Sequence, residues 1–278
     1  MILSRGYKGK LEHKVGILHC GDKIHGDPLE FGDEPVLLAK RLSTGSIVVG
    51  KNRVANFLFH FDRERPDVVI LDDGFQHLKI NGLLNIVIFD LSLPLEMYKT
   101  APLGYMREGF SALVEADLIV FNRVDSSTRF KINSLKNKLK PFLASNVQYV
   151  EMDYTSKGIV RMDGKETIGD RSSNGFACVC ISGIANPNSF YTMLEDFSGK
   201  IVKKISFPDH HIYNLEEIEN ILVVAKKLGA VVLTTEKDIV KLRKIINSEL
   251  IYYLPIDLKF INGEKNLRDA ILKCLQIY

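Results

Sequence analysis

Cysteine is scarce in this 278-residue chain: the four residues Cys20, Cys178, Cys180 and Cys274 are scattered, which excludes a disulfide-stapled miniprotein. Charge of one sign is also lacking. The 37 Lys and Arg against 34 Asp and Glu leave +3, too balanced to announce nucleic acid as a partner. No apolar run approaches the roughly 20 residues of a membrane span. The amino terminus, Met1-Ile-Leu-Ser-Arg-Gly-Tyr7, has no signal-peptide layout, so a reducing cytosol is expected, with membrane contact only at the surface. Internal repeats and low-complexity tracts are absent.

What is present is a globular composition. With 46% apolar and 26% charged residues, the chain is neither a disordered tail nor a collagen-like fibre. At about 150 residues per domain it should form two domains or one large α/β domain. A chain of this length buries roughly 70–75% of its unfolded surface, so core size is not limiting.

Short apolar runs recur, each closed by a polar residue. They are Val68–Leu71 before Asp72-Asp73-Gly74, Ile86–Phe89 before Asp90, Leu118–Phe121 before Asn122, Phe176–Ile181 before Ser182-Gly183, and Val231–Leu233 before Thr234-Thr235-Glu236. Continuous rather than alternating apolar runs suit strands covered on both faces, as in parallel sheets. The polar residues at their carboxyl ends sit where open α/β sheets bind ligands. An α/β fold with a mostly parallel sheet and flanking helices is expected. Cys178 and Cys180 alternate in one such run and read as small buried hydrophobes rather than a metal or redox pair.

One helix is clear. Asn214 is its N-cap, Glu217 completes a capping-box-like pair, and Leu215, Ile218, Ile221, Leu222, Ala225 and Leu228 keep helical spacing until Gly229 stops it. Between Val147 and Asp170 two extended segments appear, followed by a turn-rich stretch from Asp170 to Gly175. The expected organisation is an N-terminal lobe over 1–146, an extended two-strand connector over 147–175 and a smaller C-terminal α/β lobe over 176–278.

Four segments could carry chemistry. Asp72 and Asp73 end an apolar strand as a Walker-B-type acid does, where a carboxylate holds Mg²⁺; a turn or N-cap pair is the plain alternative. Asp33, in Gly32-Asp33-Glu34-Pro35 ahead of a helical run from Val36 to Leu42, could accept a hydroxyl proton. Taken alone it is more simply an N-cap. Asp209-His210-His211 could ligate metal or relay protons, or lie on the surface. Arg107-Glu108 and Arg5 offer guanidinium groups suited to phosphate, or to surface ion pairs.

Two near-matches carry no site. Gly45 to Lys51 fits the G-x-x-x-x-G-K part of a phosphate loop, but Asn52 replaces the Mg²⁺-binding hydroxyl and Ile47-Val48-Val49 reads as a strand. Asn122-Arg-Val-Asp125, which mimics a guanine-reading N-K-x-D, is a strand-end loop.

In order along the chain, Ile2-Leu-Ser-Arg-Gly-Tyr7, Gly32-Asp-Glu-Pro35, Asp72-Asp-Gly-Phe-Gln-His77 and Pro102 to Glu108 resemble the tetraacyldisaccharide 4′-kinase family of the lipid A pathway. So do Ser182-Gly-Ile-Ala-Asn-Pro187, Pro208-Asp-His-His211 and Thr234-Thr-Glu-Lys-Asp238. The resemblance implies a P-loop-type kinase moving the ATP γ-phosphate to the 4′-hydroxyl of an acylated disaccharide 1-phosphate at the cytoplasmic face of the bacterial inner membrane. In it, Asp33 would be the general base, with a histidine of the D-H-H segment, His210 in first place, as partner. Adjacent residues point in different directions, so the sequence alone does not separate His210 from His211 in that role. Asp72 and Asp73 would serve Mg²⁺, Gln76, Arg107 and Glu108 would lie near the ATP phosphates, and Ser4, Arg5 and His211 near the lipid A precursor.

The sequence departs from the family pattern in one respect. Members carry a G-x-G-K-T-type loop upstream of S-R-G-Y, whereas here Met1 lies three residues before Ser4 and no G-K-[ST] occurs. The expectation is an N-terminally truncated kinase with weak or no activity by itself, an exposed sheet edge and a retained lipid-binding surface. The alternatives are a non-catalytic remnant that binds the lipid precursor or a partner protein and, more distantly, a metal-dependent phosphoesterase.

Overall fold

The apolar runs become strands of three sheets in the computed structural model, which describes residues 1–21, 26–77, 79–168, 176–195, 197 and 199–275. Two compact units share the chain. The first comprises Met1–Asp72 and Ser156–Ile256, the second Asp73–Thr155 and Asp257–Tyr278.

The first unit opens with β1 (Ile2–Ser4), β2 (Gly16–His19), α1 (Pro28–Phe31), α2 (Asp33–Arg41), β3 (Ser46–Val49), α3 (Arg53–Glu64) and β4 (Ile70–Leu71). The second unit follows with β5 (Ile86–Asp90), β6 (Leu118–Asn122), α4 (Lys131–Leu139) and β7 (Gln148–Thr155). The chain returns to the first with β8 (Ile159–Arg161), β9 (Thr167–Ile168), β10 (Ala177–Ser182), α5 (Pro187–Glu195) and β11 (Lys200–Ser206). Then come α6 (Leu215–Lys227), β12 (Val231–Thr235), α7 (Glu236–Leu242) and β13 (Ile251–Leu254). It ends in the second unit with β14 (Asp257–Asn262) and α8 (Glu264–Leu275).

The first unit holds a sheet of order β2-β3-β1-β4 and a larger one of order β11-β10-β12-β13-β8-β9; the second holds β14-β7-β6-β5. Pairing is parallel among β3, β1 and β4, among β11, β10, β12 and β13, and among β5, β6 and β7. The α/β architecture with parallel-rich sheets is as the sequence implies. Interior strands explain the continuous apolar runs: Val179, Ile181, Val232 and Leu233 are fully buried, as are Leu118, Ile119 and Phe121. Cys178 and Cys180 are free and buried against Phe190 and Leu194, as packing residues.

Three expectations change. The run 68–71 is not a buried strand: it pairs only at Ile70–Leu71, at the edge of its sheet, and Ile70 is 55% exposed. Ile88 on β5, also an edge strand, is 63% exposed. An edge strand has a neighbour on one side only, so an apolar run alone does not reveal its position. The two strands expected as a connector join different sheets, β7 between β6 and β14, β8 between β13 and β9. The turn-rich part of that connector, 169–175, lies outside the described residues. Because β14 pairs antiparallel with β7, the chain's end belongs to the second unit, and boundaries at 146/147 and 175/176 fall inside units.

The α6 reading holds in detail. The Asn214 side chain accepts from the Glu217 N–H at 2.9 Å, and Gly229 follows the helix at φ +59°. The Glu217 carboxylate, however, turns to His211 rather than completing a capping box. Among the described residues no helix is long and apolar enough to cross a membrane.

A candidate proton-transfer site in the first unit

Three parallel strands end at the same edge, and each delivers part of one cluster. Beyond β10, the Gly183 N–H donates to Asp238 Oδ2 at 2.9 Å, while its carbonyl accepts from the His210 N–H at 3.1 Å. A Cβ there would lie 3.1 Å from both Asp238 Oδ1 and the Tyr213 hydroxyl, so glycine is what this close approach requires. Beyond β11, Phe207-Pro208-Asp209 leads to His210, held at φ +61°. Beyond β12, Thr235 caps α7: its Oγ1 accepts from the Asp238 N–H at 3.1 Å and donates to Asp238 Oδ2 at 2.8 Å.

Asp33 comes from the other sheet's layer. Gly32, at φ +89°, is the N-cap of α2, so Asp33 is the first helical residue and not the cap. The helix N-terminus favours its negative charge. Val240 of α7 packs with Val36 and Ala39 of α2 in one core cluster, and the Arg41–Glu236 ion pair also joins the two helices.

The result is a buried network. Asp33 is 4% exposed, and His210 Nδ1 sits 2.9 Å from its Oδ1 and 3.1 Å from its Oδ2. Lys241 Nζ is 3.5 Å from Asp33 Oδ2 and 2.8 Å from Asp238 Oδ1. Lys237 Nζ lies 3.1 Å from His210 Nε2, 3.0 Å from Glu34 Oε1 and 3.5 Å from Asp209 Oδ1. Burial alone would push the Lys237 ammonium towards losing its proton. The charges of Asp33, Glu34 and Asp209 outweigh it and raise the group above its ordinary value. Burial first, and then the charge of Asp238, push ionisation of the Tyr213 hydroxyl up; its ring faces Lys241 at 5.3 Å.

Which histidine faces Asp33 is thereby resolved as His210. His211 instead pairs Nε2 with Glu217 at 3.0 Å and stacks on Phe207 with centroids 4.5 Å apart. Lys237 and Lys241, one helical turn apart on α7, carried no role in the sequence reading. The signal was Thr-Glu-Lys-Asp itself, a cap motif whose one lysine shares a helix face with Lys241, four residues on.

The remaining predicted residues are distributed over both units. In the first, Ser4 Oγ donates to Asp72 Oδ2 at 2.8 Å, and Arg5 Nε donates to Glu12 Oε1 at 2.6 Å. In the second, Asp73 at φ +50° accepts from Arg107 Nη1 at 2.6 Å, so a guanidinium is the cation that meets the second acid. Gln76 is half-buried and Glu108 exposed there. Among the described residues no group of three or more His, Cys, Asp or Glu could hold a metal ion. Mg²⁺ asks for less, since one or two carboxylates with waters and phosphate oxygens suffice. Asp72, a carboxylate just past a strand's carboxyl end, fits that mode. The near-match at 45–52 is strand β3 with Asn52 capping α3, and Asn122–Asp125 is a strand-end turn, as expected.

An α/β scaffold that gathers a buried carboxylate, an imidazole and two ammonium groups beyond the ends of parallel strands has the architecture of enzymes that bind ligands at that edge. The chain belongs to the tetraacyldisaccharide-1-P 4′-kinase family, whose sequence profile matches residues 1–276. It is 33% identical over 275 residues to the tetraacyldisaccharide 4′-kinase of Geobacter metallireducens, covering 99% of this chain and 78% of that one. To the Halothermothrix orenii enzyme of the same name it is 29% identical, over 98% and 75% of the two chains. The crystal structure of LpxK from Aquifex aeolicus in complex with ATP is similar at a TM-score of 0.70 and 28% identity, covering 98% of this chain and 78% of that one.

Proposed function

We propose that this chain transfers the γ-phosphoryl group of ATP to the 4′-hydroxyl of a tetraacyldisaccharide 1-phosphate, with Asp33 as general base. The observation that carries the reading is the buried Asp33–His210 contact of 2.9 Å beside Lys241, at a strand-end edge of a chain in this family. A sugar hydroxyl is a poor nucleophile until a positioned base accepts its proton. Asp33 offers that base on a rigid helix start, and His210 fixes the carboxylate's orientation. Lys241 places its positive charge 3.5 Å from the carboxylate.

ATP with Mg²⁺ supplies, when bound, the transferable phosphoryl group and its countercharge. Asp72 would hold the ion, with Asp73 assigned to the same role, and Gln76, Arg107 and Glu108 would contact the phosphates. Of Ser4, Arg5 and His211, assigned to the lipid precursor, Arg5 keeps the freest side chain, about half exposed. Reaction at the cytoplasmic face of the inner membrane follows from pairing an acylated substrate with ATP. The exposed Leu58, Phe59 and Phe61 of α3, flanked by Arg63 and Arg65, offer a surface for such contact.

The test is ATP-dependent phosphorylation of tetraacyldisaccharide 1-phosphate in detergent with Mg²⁺, comparing the chain with Asp33→Asn. The 278 residues contain no G-K-[ST], so slow turnover is expected and the ratio is the readout. A fall of about 10²–10⁴-fold is expected for the variant; equal turnover would overturn the assignment of the base.

A further inference from the structure

We propose that Lys237 is a positioning residue: by donating to His210 Nε2 it holds His210 as the neutral Nδ1–H tautomer that hydrogen-bonds Asp33. The role in catalysis rests on the reading of Asp33 as base, whereas the tautomer stands on geometry alone.

An ammonium group has donors and no acceptor, so the 3.1 Å approach of Lys237 Nζ requires a lone pair on Nε2. The ring proton is then on Nδ1, where it donates to Asp33 Oδ1 at 2.9 Å and Oδ2 at 3.1 Å. The reverse arrangement, with Nε2–H donating to lysine, needs a neutral Lys237. Glu34 at 3.0 Å and Asp209 at 3.5 Å oppose that, since each favours the ammonium form.

The surroundings of His210 agree from every side. From α2 come Asp33 and Glu34; from its own loop comes Asp209, whose Oδ2 lies 3.6 Å from Nε2, farther than the Lys237 ammonium. From the amino-terminal loop, the Tyr7 ring meets the imidazole edge-on at 5.5 Å, and Lys8 donates to the Asp209 carbonyl at 3.0 Å. From α7, besides Lys237, Lys241 faces Asp33 with Asp238 behind it.

The consequence is a division of labour. With Nδ1–H given to Asp33 and Nε2 receiving Lys237, both ring nitrogens are engaged. The proton taken from the sugar hydroxyl therefore stays on the Asp33 carboxyl, and His210 serves to aim that carboxylate. Nothing in the third residue of Thr-Glu-Lys-Asp beyond its charge and length is needed for this.

The experiment is two-bond proton–nitrogen NMR of the full chain labelled with ¹⁵N-histidine, with His210 assigned by its loss in His210→Gln. The expected result is the Nδ1–H pattern with Nε2 unprotonated. Lys237→Met, which removes the donor to Nε2, should shift the Nε2 resonance, and Lys237→Arg should restore it. An Nε2–H or cationic His210 in the parent chain, or an unchanged spectrum in Lys237→Met, overturns the proposal. Should Lys237→Met fail to fold, as judged by circular dichroism, the parent spectrum and Lys237→Arg decide it.

The kinase assay keeps the two readings apart. With Asp33 as base, Lys237→Met loses kcat several-fold with KM unchanged, and Lys237→Arg recovers it. A retained Nδ1–H tautomer together with undiminished turnover in Asp33→Asn leaves the positioning geometry intact and removes the base.

Discussion

Two acid–base contacts in this protein have similar distances and very different surroundings. Asp33 and His210 meet at 2.9 Å in the first unit with side chains 5% and 9% exposed; Asp73 and Arg107 meet at 2.6 Å in the second with 56% and 65% exposed. Distance alone would rank the second contact higher. Water reverses the order. An exposed pair exchanges one solvated state for another and is screened by salt, whereas a buried one has surrendered its solvation and depends on its partners. The first cluster is accordingly redundant, with Lys241, Asp238, Lys237, Glu34 and Asp209 sharing its charges. The Asp73–Arg107 pair, more than half exposed on both sides, is open to a change of partner. A buried network holds geometry; an exposed pair holds a group in readiness.

The sharpest way to break the comparison is Asp238→Ala. Asp238 is fully buried, forms an ion pair with Lys241 at 2.8 Å, and accepts from the Gly183 N–H at 2.9 Å and the Thr235 hydroxyl at 2.8 Å. Its removal leaves the Lys241 charge buried without its main partner, and a loss of about 3–5 kcal/mol is expected in urea unfolding. A loss under about 1 kcal/mol would mean that the network is no more integral than the surface pair.

A smaller effect tests the sign of the charge coupling. Lys237 has its ionisation raised above the ordinary 10.5 by Asp33, Glu34 and Asp209, against the pull of burial. A group raised on folding contributes stability that is complete below its unfolded value and is lost as pH climbs through the folded one. The contribution is therefore intact at neutral pH and fades only above about 10.5. Unfolding free energy measured from pH 7 upward should fall less steeply at the alkaline end in Lys237→Met than in the parent. Parallel curves would show that Lys237 is not coupled to these carboxylates.

Much of this was legible in the sequence, and the unread part has physical causes. Parallel α/β architecture followed from unbroken apolar runs, because strands such as Val231–Thr235 are covered on both faces. Edge position was not legible: Val68–Leu71 and Ile86–Phe89 have the same composition as interior strands, and only pairing reveals the missing neighbour. The Asp33–His210 contact joins residues 177 apart, so periodicity had no means of reporting it; it entered through the family resemblance, and the choice of His210 over His211 waited on the turn that places His210 at φ +61°. Lys237 stood in a quoted motif yet went unassigned, because the motif shows neither its burial nor the loop that brings His210 to within 3.1 Å of it. Those neighbours lie 27 residues apart and only the fold joins them.

The smallest expected effect completes the comparison from the exposed side. Arg107→Ala removes a contact whose partners are both more than half exposed, so its stability cost should stay within about 1 kcal/mol and shrink further in high salt. Its kinetic effect should be out of proportion to that. If Arg107 exchanges Asp73 for ATP phosphate during the reaction, the variant loses a charge-assisted contact of about 1.5–3 kcal/mol, seen as a rise of roughly tenfold or more in the KM for ATP. Lys at this position would restore the charge but not the forked geometry, and should recover only part of the loss. An unchanged KM with unchanged stability would leave the Asp73–Arg107 pair a surface ion pair and nothing more.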